Sequence, residues 1–145
     1  MKRTVSVLGI AFIGMAGCAT PSQPGSESDV AAAVNVRVGD QFDLPVGTSA
    51  RIGGTGIILR FRGIEEDSRC PIDVQCVWAG NAAASMTLSA SGIPSRDERI
   101  NTTVDPRSTL FHGHEVRLVG LKPAPRSGIA IRPAAYVGTF EVAPK

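Results

Sequence analysis

The sequence predicts a small all-β domain, and three observations indicate this fold class. Apolar and polar residues alternate along much of the chain after residue 33, which is the two-residue period of a half-buried strand. Glycine and proline occur 16 and 10 times and interrupt the pattern, giving about seven to nine short strands at roughly 8–12-residue spacing. No segment carries the sustained apolar stripe of an amphipathic helix. We expect residues 34–145 to form a single β-sandwich, with a small β-barrel as the alternative.

Four strands are predicted in the first half of this domain, each bounded by glycine or proline turns: residues 34–38, 42–44, 50–52 and 57–62. The fourth has the clearest pattern. Ile57, Leu59 and Phe61 would share one face, and the two arginines between and after them would share the other. We expect that strand to be half-buried.

Four more strands are predicted in the second half, at residues 82–90, 98–104, 115–121 and 136–142. In the first of these, Ala84, Met86 and Leu88 alternate with serine and threonine and should face the core. A turn is expected over residues 91–95, and a rigid, proline-containing loop over residues 123–128.

The N-terminal segment has the organisation of a secretory signal peptide. Lys2 and Arg3 provide a positive start, residues 5–15 form an uncharged apolar run of 11 residues, and small residues follow. A run of this length is too short to span a bilayer, which takes about 20 residues. Residues 1–17 are therefore predicted to be a signal peptide that is removed.

Met15-Ala16-Gly17-Cys18 resembles the lipobox of bacterial lipoproteins, in which the cysteine is lipidated and becomes the first mature residue. The resemblance implies a membrane anchor on Cys18, and residues 18–33 are predicted to be this cysteine and a flexible tether. Ala19, rather than an acidic residue, follows the cysteine. By likeness to sorted lipoproteins of Gram-negative bacteria, this implies the outer membrane, facing the periplasm. An ordinary signal peptide that is cleaved beside a cysteine is the alternative.

Charge and motifs exclude several classes of function. The chain has 15 basic and 13 acidic residues, and removing Lys2 and Arg3 leaves the mature chain neutral. A neutral chain lacks the basic surface of a nucleic-acid-binding protein. The sequence contains no Gly-x-Ser-x-Gly elbow, glycine-rich phosphate loop or His-Glu-x-x-His motif. We therefore expect no enzyme and no cofactor.

Lipidation of Cys18 would leave Cys70 and Cys76 as one pair in an oxidising compartment. The favoured interpretation is a structural disulfide across a short loop. A metal site would need more ligands, for which His112 and His114 are the candidates. A redox site would be expected to have the two-residue spacing of thioredoxin-like motifs, which these cysteines lack.

Three residues beside the cysteines are candidates for a role in packing or binding. Trp78 directly follows the disulfide loop, and we expect it to pack on the disulfide and anchor the loop to the core, with ligand stacking as the alternative. Ala79 and Gly80 would let two backbones approach closely. Asp67 and Arg69 are expected to pair with neighbouring groups and are also the candidate charged lip of a binding surface.

The central segment contains Asp-Ser-Arg-Cys-Pro at residues 67–71, four further residues, and Cys-Val-Trp-Ala-Gly-Asn at residues 76–81. This segment resembles a motif of small exported bacterial lipoproteins of unassigned function. A later segment, Leu-Val-Gly-Leu-Lys-Pro-Ala-Pro (118–125), is similar to one in the same group. The likeness covers residues 38–142. It implies a compact β-domain and assigns no catalytic or ligand residue.

Three hypotheses of function follow. The first is a non-enzymatic interaction module of the cell envelope that binds a partner protein or polysaccharide, and its mark would be an exposed apolar patch. The second is an inhibitor of a hydrolase such as a lysozyme or a peptidase. The third is periplasmic metal or copper handling through His112, His114 and Met86.

Overall fold

The structure is a computed structural model, and it describes residues 33–145. The predicted signal peptide, the lipidation site Cys18 and residues 18–32 of the predicted tether lie outside the described residues. The described chain forms nine strands and one 3-10 helix: β1 (Val34–Val36), β2 (Gln41–Pro45), β3 (Ser49–Ile52), β4 (Ile57–Asp67), β5 (Ala82–Ala90), β6 (Ile93–Asn101), β7 (Ser108–Phe111), β8 (His114–Lys122), the 3-10 helix (Pro133–Ala135) and β9 (Val137–Pro144).

The strands form two packed sheets. One has five strands in the order β1-β3-β4-β5-β6, and the other has four in the order β2-β9-β8-β7. All neighbours are antiparallel except β1 and β3, which are parallel. The all-β sandwich predicted from the sequence is confirmed. The barrel alternative is wrong, because each sheet ends at its own pair of edge strands.

The core lies between the sheets and is built from the residues that the alternation placed inside. Ile57, Leu59 and Phe61 are fully buried, as are Ala84, Met86 and Leu88 of the neighbouring strand. Phe61 meets Phe140 of the opposite sheet edge to face, with ring centroids 5.2 Å apart and an angle of 69° between the ring planes. This aromatic pair joins the two sheets at the centre of the sandwich.

Strand β7 was not predicted, and two of the predicted strands have clearly different bounds in the structure. β4 continues from the predicted end at residue 62 to Asp67, because register shifts after Phe61 and Ile64 absorb the irregularity and pairing with β5 resumes. β6 begins at Ile93, inside the predicted turn, because Gly92 adopts a φ of 73° and closes a tighter hairpin. Pro94 is tolerated there because β6 is an edge strand.

The connections fall at two ends of the sandwich. The disulfide loop (68–81) joins β4 to β5, the connecting loop (102–107) joins β6 to β7, and the proline loop (123–136) joins β8 to β9. We call these three loops together the loop end. Turns at residues 53–56, 91–92 and 112–113 lie at the opposite end, since the strands that they connect run from there towards the loop end or back.

Candidate functional site

A disulfide closes the central part of the disulfide loop. Cys70 and Cys76 are bonded to each other, with their Cα atoms 6.0 Å apart, so the predicted pairing of these two cysteines is confirmed. Every residue from Ile72 to Ala79 is exposed. The ring and the three residues after it therefore carry a run of exposed residues.

The base of this loop is held by backbone contacts. Ser68 donates to the carbonyl group of Asn81 at 2.7 Å, and Cys70 donates to that of Ala79 at 2.8 Å. Gly80 has a φ of 74°, and a Cβ atom on it would lie 1.9 Å from the carbonyl oxygen of Ser68. The close backbone approach expected at Ala79 and Gly80 is thus present, and it depends on the glycine.

Asp67 and Arg69 form an ion pair at the root of the loop. The Arg69 Nη2 atom lies 2.7 Å from Asp67 Oδ2, and the exposed fractions of the two side chains are only 13% and 12%. The other guanidinium nitrogens donate to Asp67 Oδ1 at 2.8 Å and to the carbonyl group of Leu121 at 2.8 Å. The expected pairing is confirmed, and both groups are engaged with one another or with the end of β8 and the proline loop. The role of Asp67 and Arg69 as a charged binding lip stays a prediction.

Tyr136 completes this cluster by donating its hydroxyl hydrogen to Asp67 Oδ2 at 3.0 Å. Burial raises the pKa of Asp67, but hydrogen bonds from Arg69 and Tyr136 and the positive charge of Arg69 outweigh it and hold the pKa below its usual value. Burial and the hydrogen bond to the Asp67 carboxylate raise the pKa of Tyr136. At neutral pH the cluster is therefore a carboxylate held by a guanidinium and a phenol, arranged to fix the loop.

A second polar network, which the sequence reasoning missed, joins the disulfide loop to the connecting loop. Asn81 donates from its side chain to that of Asn101 at 3.0 Å, and both residues are buried. Thr103 donates its hydroxyl hydrogen to the carbonyl group of Gly80 at 2.5 Å and its backbone N–H to Asn81 Oδ1 at 3.2 Å. The sequence signal for this network is an asparagine at the end of the disulfide loop and another at the end of β6, with two threonines after the second. These residue types are also common in loops that form no such network.

Trp78 does not anchor the loop to the core. Its side chain is 58% exposed, so it is not a buried residue of the core, and its expected packing on the disulfide stays a prediction. The base of the loop is held by the Gly80 contact and the two polar networks. The indole has no place between the sheets and lies on the surface.

Exposed apolar side chains are concentrated at the loop end. We use the name apolar tip for five of them, which are between 45% and 106% exposed: Ile72, Val74, Val77, Trp78 and Ile129. Four belong to the disulfide loop and the fifth to the proline loop. Val104 of the connecting loop is 43% exposed at the same end. Exposed apolar groups on neighbouring loops are candidates for an interaction site.

Hydrogen bonds hold the two loops of the apolar tip together. Ile72 donates its backbone N–H to the carbonyl group of Pro125 at 3.0 Å, and Ser127 donates to Asp73 Oδ1 at 2.8 Å. A cavity of about 340 Å³ lies between the loops, lined by residues of both and by Val119. A second depression, of about 300 Å³, lies on the proline loop between Ile129, Arg126 and Arg132.

The histidines lie at the opposite end of the sandwich. His112 and Gly113 form the turn between β7 and β8, and His114 Nδ1 lies 2.8 Å from the carbonyl oxygen of His112. Met86 is fully buried in the core. Among residues 33–145, no group of three or more histidine, cysteine, aspartate or glutamate side chains is placed to hold a metal ion. The structure does not bring the three candidate ligands together at one accessible site.

The chain matches no protein-family model, and no curated protein or solved structure is significantly similar to it. The resemblance of residues 67–81 to exported lipoproteins therefore stays a prediction. Within the described part of the chain, no helix has the length and the apolar character needed to cross a membrane.

Proposed function

We propose that this chain is a non-enzymatic lipoprotein of the bacterial cell envelope, anchored through lipid on Cys18, whose β-domain is an interaction module. The observation that carries the proposal is the apolar tip, which projects from a loop base that is held rigidly. The likeness of residues 15–18 to a lipobox supports the anchor, and the outer membrane facing the periplasm is the compartment that it implies.

The composition of the tip supports a role in binding. Tryptophan is among the residues that contribute most to interfaces, and isoleucine and valine add apolar area around it. The disulfide, the Gly80 contact and the asparagine network limit the motion of the loop, so a partner would meet a surface that needs little ordering. An apolar surface kept in water costs free energy, which contact with a partner would recover.

The ionisable groups at the loop end support a role without catalysis. The pKa values of Asp67 and Tyr136 are displaced, and these two groups are hydrogen-bonded to each other, while Asp67 is also paired with Arg69. Arg69 also donates to the carbonyl group of Pro123 at 3.0 Å. A catalytic acid or base needs access to a substrate, which these inward-facing side chains lack.

Site-specific photo-crosslinking in living cells tests the proposal. A photo-reactive amino acid at position 77 of the apolar tip should give products with one envelope component, whether protein, polysaccharide or lipid. The matched control is position 110, because Leu110 is also exposed but lies outside the loop end. The same products at both positions, or none at position 77, would show that the tip is not a binding surface.

Inhibition of a hydrolase is the second candidate, and the shape of the disulfide loop favours it. Eight consecutive exposed residues, Ile72–Ala79, lie on a loop closed by a disulfide, which is a form that can enter a cleft. The purified protein should then inhibit a lysozyme or a peptidase, and Val77→Asp should abolish the inhibition. Full activity of a broad panel of both enzyme classes in the presence of the protein would exclude this role.

A further inference from the structure

The first strand of the domain, β1, runs in the direction that leads away from the apolar tip. β4 runs towards the loop end and reaches it at Asp67, and β3 is antiparallel to β4. β1 is parallel to β3, with Val34 beside Ala50. β1 therefore runs away from the loop end, and its first residue, Val34, is at the end of this strand that lies nearer to the loop end.

The distances allow the lipid anchor and the loop end to reach the same surface. Val34 is level with Ala50 and, across β3, with Leu59. Leu59 and Asp67 pair with Leu88 and Ala82 of β5, which are six residues apart, so Asp67 lies about 20 Å further along the sheet at 3.3 Å per residue. The 16 residues that lead from Cys18 to Val34 can span at most about 55 Å. The tether is therefore long enough for the loop end to contact the membrane that holds a lipid on Cys18.

The chemistry of the loop end suits a lipid surface. The apolar tip offers tryptophan, isoleucine and valine, and tryptophan prefers the boundary between headgroups and acyl chains. Arg126 and Arg132 are exposed beside Ile129, and no salt bridge joins either of them to a carboxylate in residues 33–145. Arginines next to an apolar surface can bind phosphate groups while their aliphatic stems stay in the apolar layer.

We propose that the loop end is a membrane-docking surface that lies against an anionic phospholipid bilayer, with Trp78 at headgroup depth and Arg126 and Arg132 on lipid phosphates. The inference rests on the proposed function, because it names the partner of the same apolar tip as the membrane that holds the anchor. Docking would fix the orientation of the domain and leave the turns at the opposite end facing the aqueous space.

The intrinsic fluorescence of Trp78 provides the test, because it is the single tryptophan of the chain. The lipidated protein is placed in phosphatidylcholine vesicles with and without phosphatidylglycerol, using lipids with brominated acyl chains. With the anionic lipid, we expect the Trp78 emission to shift to shorter wavelength and to lose much of its intensity to bromine, and aqueous iodide should quench it less. High salt should reduce these effects, since the attraction to phosphate is screened.

Variants that remove positive charges from the loop end test whether Trp78 is held at the membrane by docking or is near it only because of the lipid anchor. Arg126→Ser/Arg132→Ser should weaken the bromine quenching, whereas Arg37→Ser/Lys145→Ser removes two positive charges near the opposite end and should not change it. Emission that bromine leaves intact and iodide quenches fully would overturn the docking proposal.

The crosslinking at position 77 then decides what remains of the proposed function. A discrete protein or polysaccharide product, together with no bromine quenching, would keep the interaction module and reject the membrane as its partner. Absence of both signals would reject both proposals.

Discussion

Gly80 lies at the base of the disulfide loop, where its backbone passes beside the carbonyl group of Ser68. Gly80→Ala would place a methyl group in contact with that carbonyl and hold alanine at a φ of 74°, a conformation that alone costs roughly 1–2 kcal/mol. We expect a loss of more than about 2 kcal/mol in the free energy of unfolding, measured by urea denaturation.

Gly92 provides the matched control for that substitution. Its φ of 73° is nearly the same, but a Cβ atom there would meet no other atom within 4 Å. Gly92→Ala should therefore show the conformational cost alone. Equal losses in the two variants would mean that the close approach at Gly80 does not contribute to stability.

Asp67 makes the stability of the domain depend on pH. Its folded-state pKa lies below that of the unfolded chain, so the unfolded protein takes up the proton first as the pH falls. The stabilisation is fully present above about pH 5 and is lost as the pH falls from about 4 through the folded-state pKa. Asp67→Asn should lower the free energy of unfolding at pH 7 by about 1.5–3 kcal/mol, because it weakens hydrogen bonds to a charged group.

Urea denaturation at several pH values between 7 and 2 checks this prediction. The difference between wild type and Asp67→Asn should shrink as the pH falls below about 4. Tyr136→Phe, which removes one hydrogen bond to the carboxylate, should cost about 1.5 kcal/mol at pH 7, at the lower end of the range for bonds to a charged group. A constant difference between wild type and Asp67→Asn at all pH values would contradict the assignment.

Among the elements, the disulfide loop combines covalent and noncovalent constraints. Replacing both cysteines in Cys70→Ser/Cys76→Ser removes the cross-link without leaving a single thiol there. We expect a loss of about 2 kcal/mol, since the closed ring is short and limits the unfolded chain only modestly. The two sheets should keep their structure, because the loop base is also held by the Gly80 contact and the Asn81 network.

Thermal melting and far-ultraviolet circular dichroism measure the effect of the disulfide. The variant should melt at a lower temperature with an unchanged β-sheet spectrum before the transition. A variant that melts at the wild-type temperature would show that the disulfide contributes nothing to stability. A variant that is unfolded at room temperature would show that the noncovalent contacts do not hold the loop.

Sequence patterning predicted those elements whose alternation is uninterrupted. β5 has the predicted bounds, since apolar and polar residues alternate from Ala84 to Ala90 and a turn follows. The far half of β4 was missed because its bulges break the two-residue period. In the candidate site, the cysteine pairing and the role of Gly80 were predictable from residue type.

The exposure of Trp78 and the burial of Asp67 and Arg69 were not predictable from residue type. The exposure or burial of these side chains depends on which other loops contact the base of the disulfide loop. Arg69 donates to the carbonyl groups of Leu121 and Pro123, more than 50 positions away. Local sequence carries no signal for such partners.

At the scale of the whole molecule, the two sheets depend on one shared core. Phe140 of the second sheet packs against Phe61 of the first, and a Cβ atom on Gly138 would lie 2.5 Å from the Phe140 ring, so the ring fills the space that this glycine leaves open. Neither sheet can bury its inner face alone, so we expect them to unfold together. Phe140→Ala should therefore destabilise the entire domain, by about 3–5 kcal/mol.

Phe42 is the control for Phe140. Its ring lies 6.2 Å from that of Phe140 but is only partly buried at the edge strand β2, so Phe42→Ala should cost clearly less. Urea denaturation followed by far-ultraviolet circular dichroism should give one transition for each protein, with the Phe140→Ala midpoint well below the other two. Two separate transitions in wild type would mean that the sheets unfold independently, and the Phe61–Phe140 contact would then not couple them.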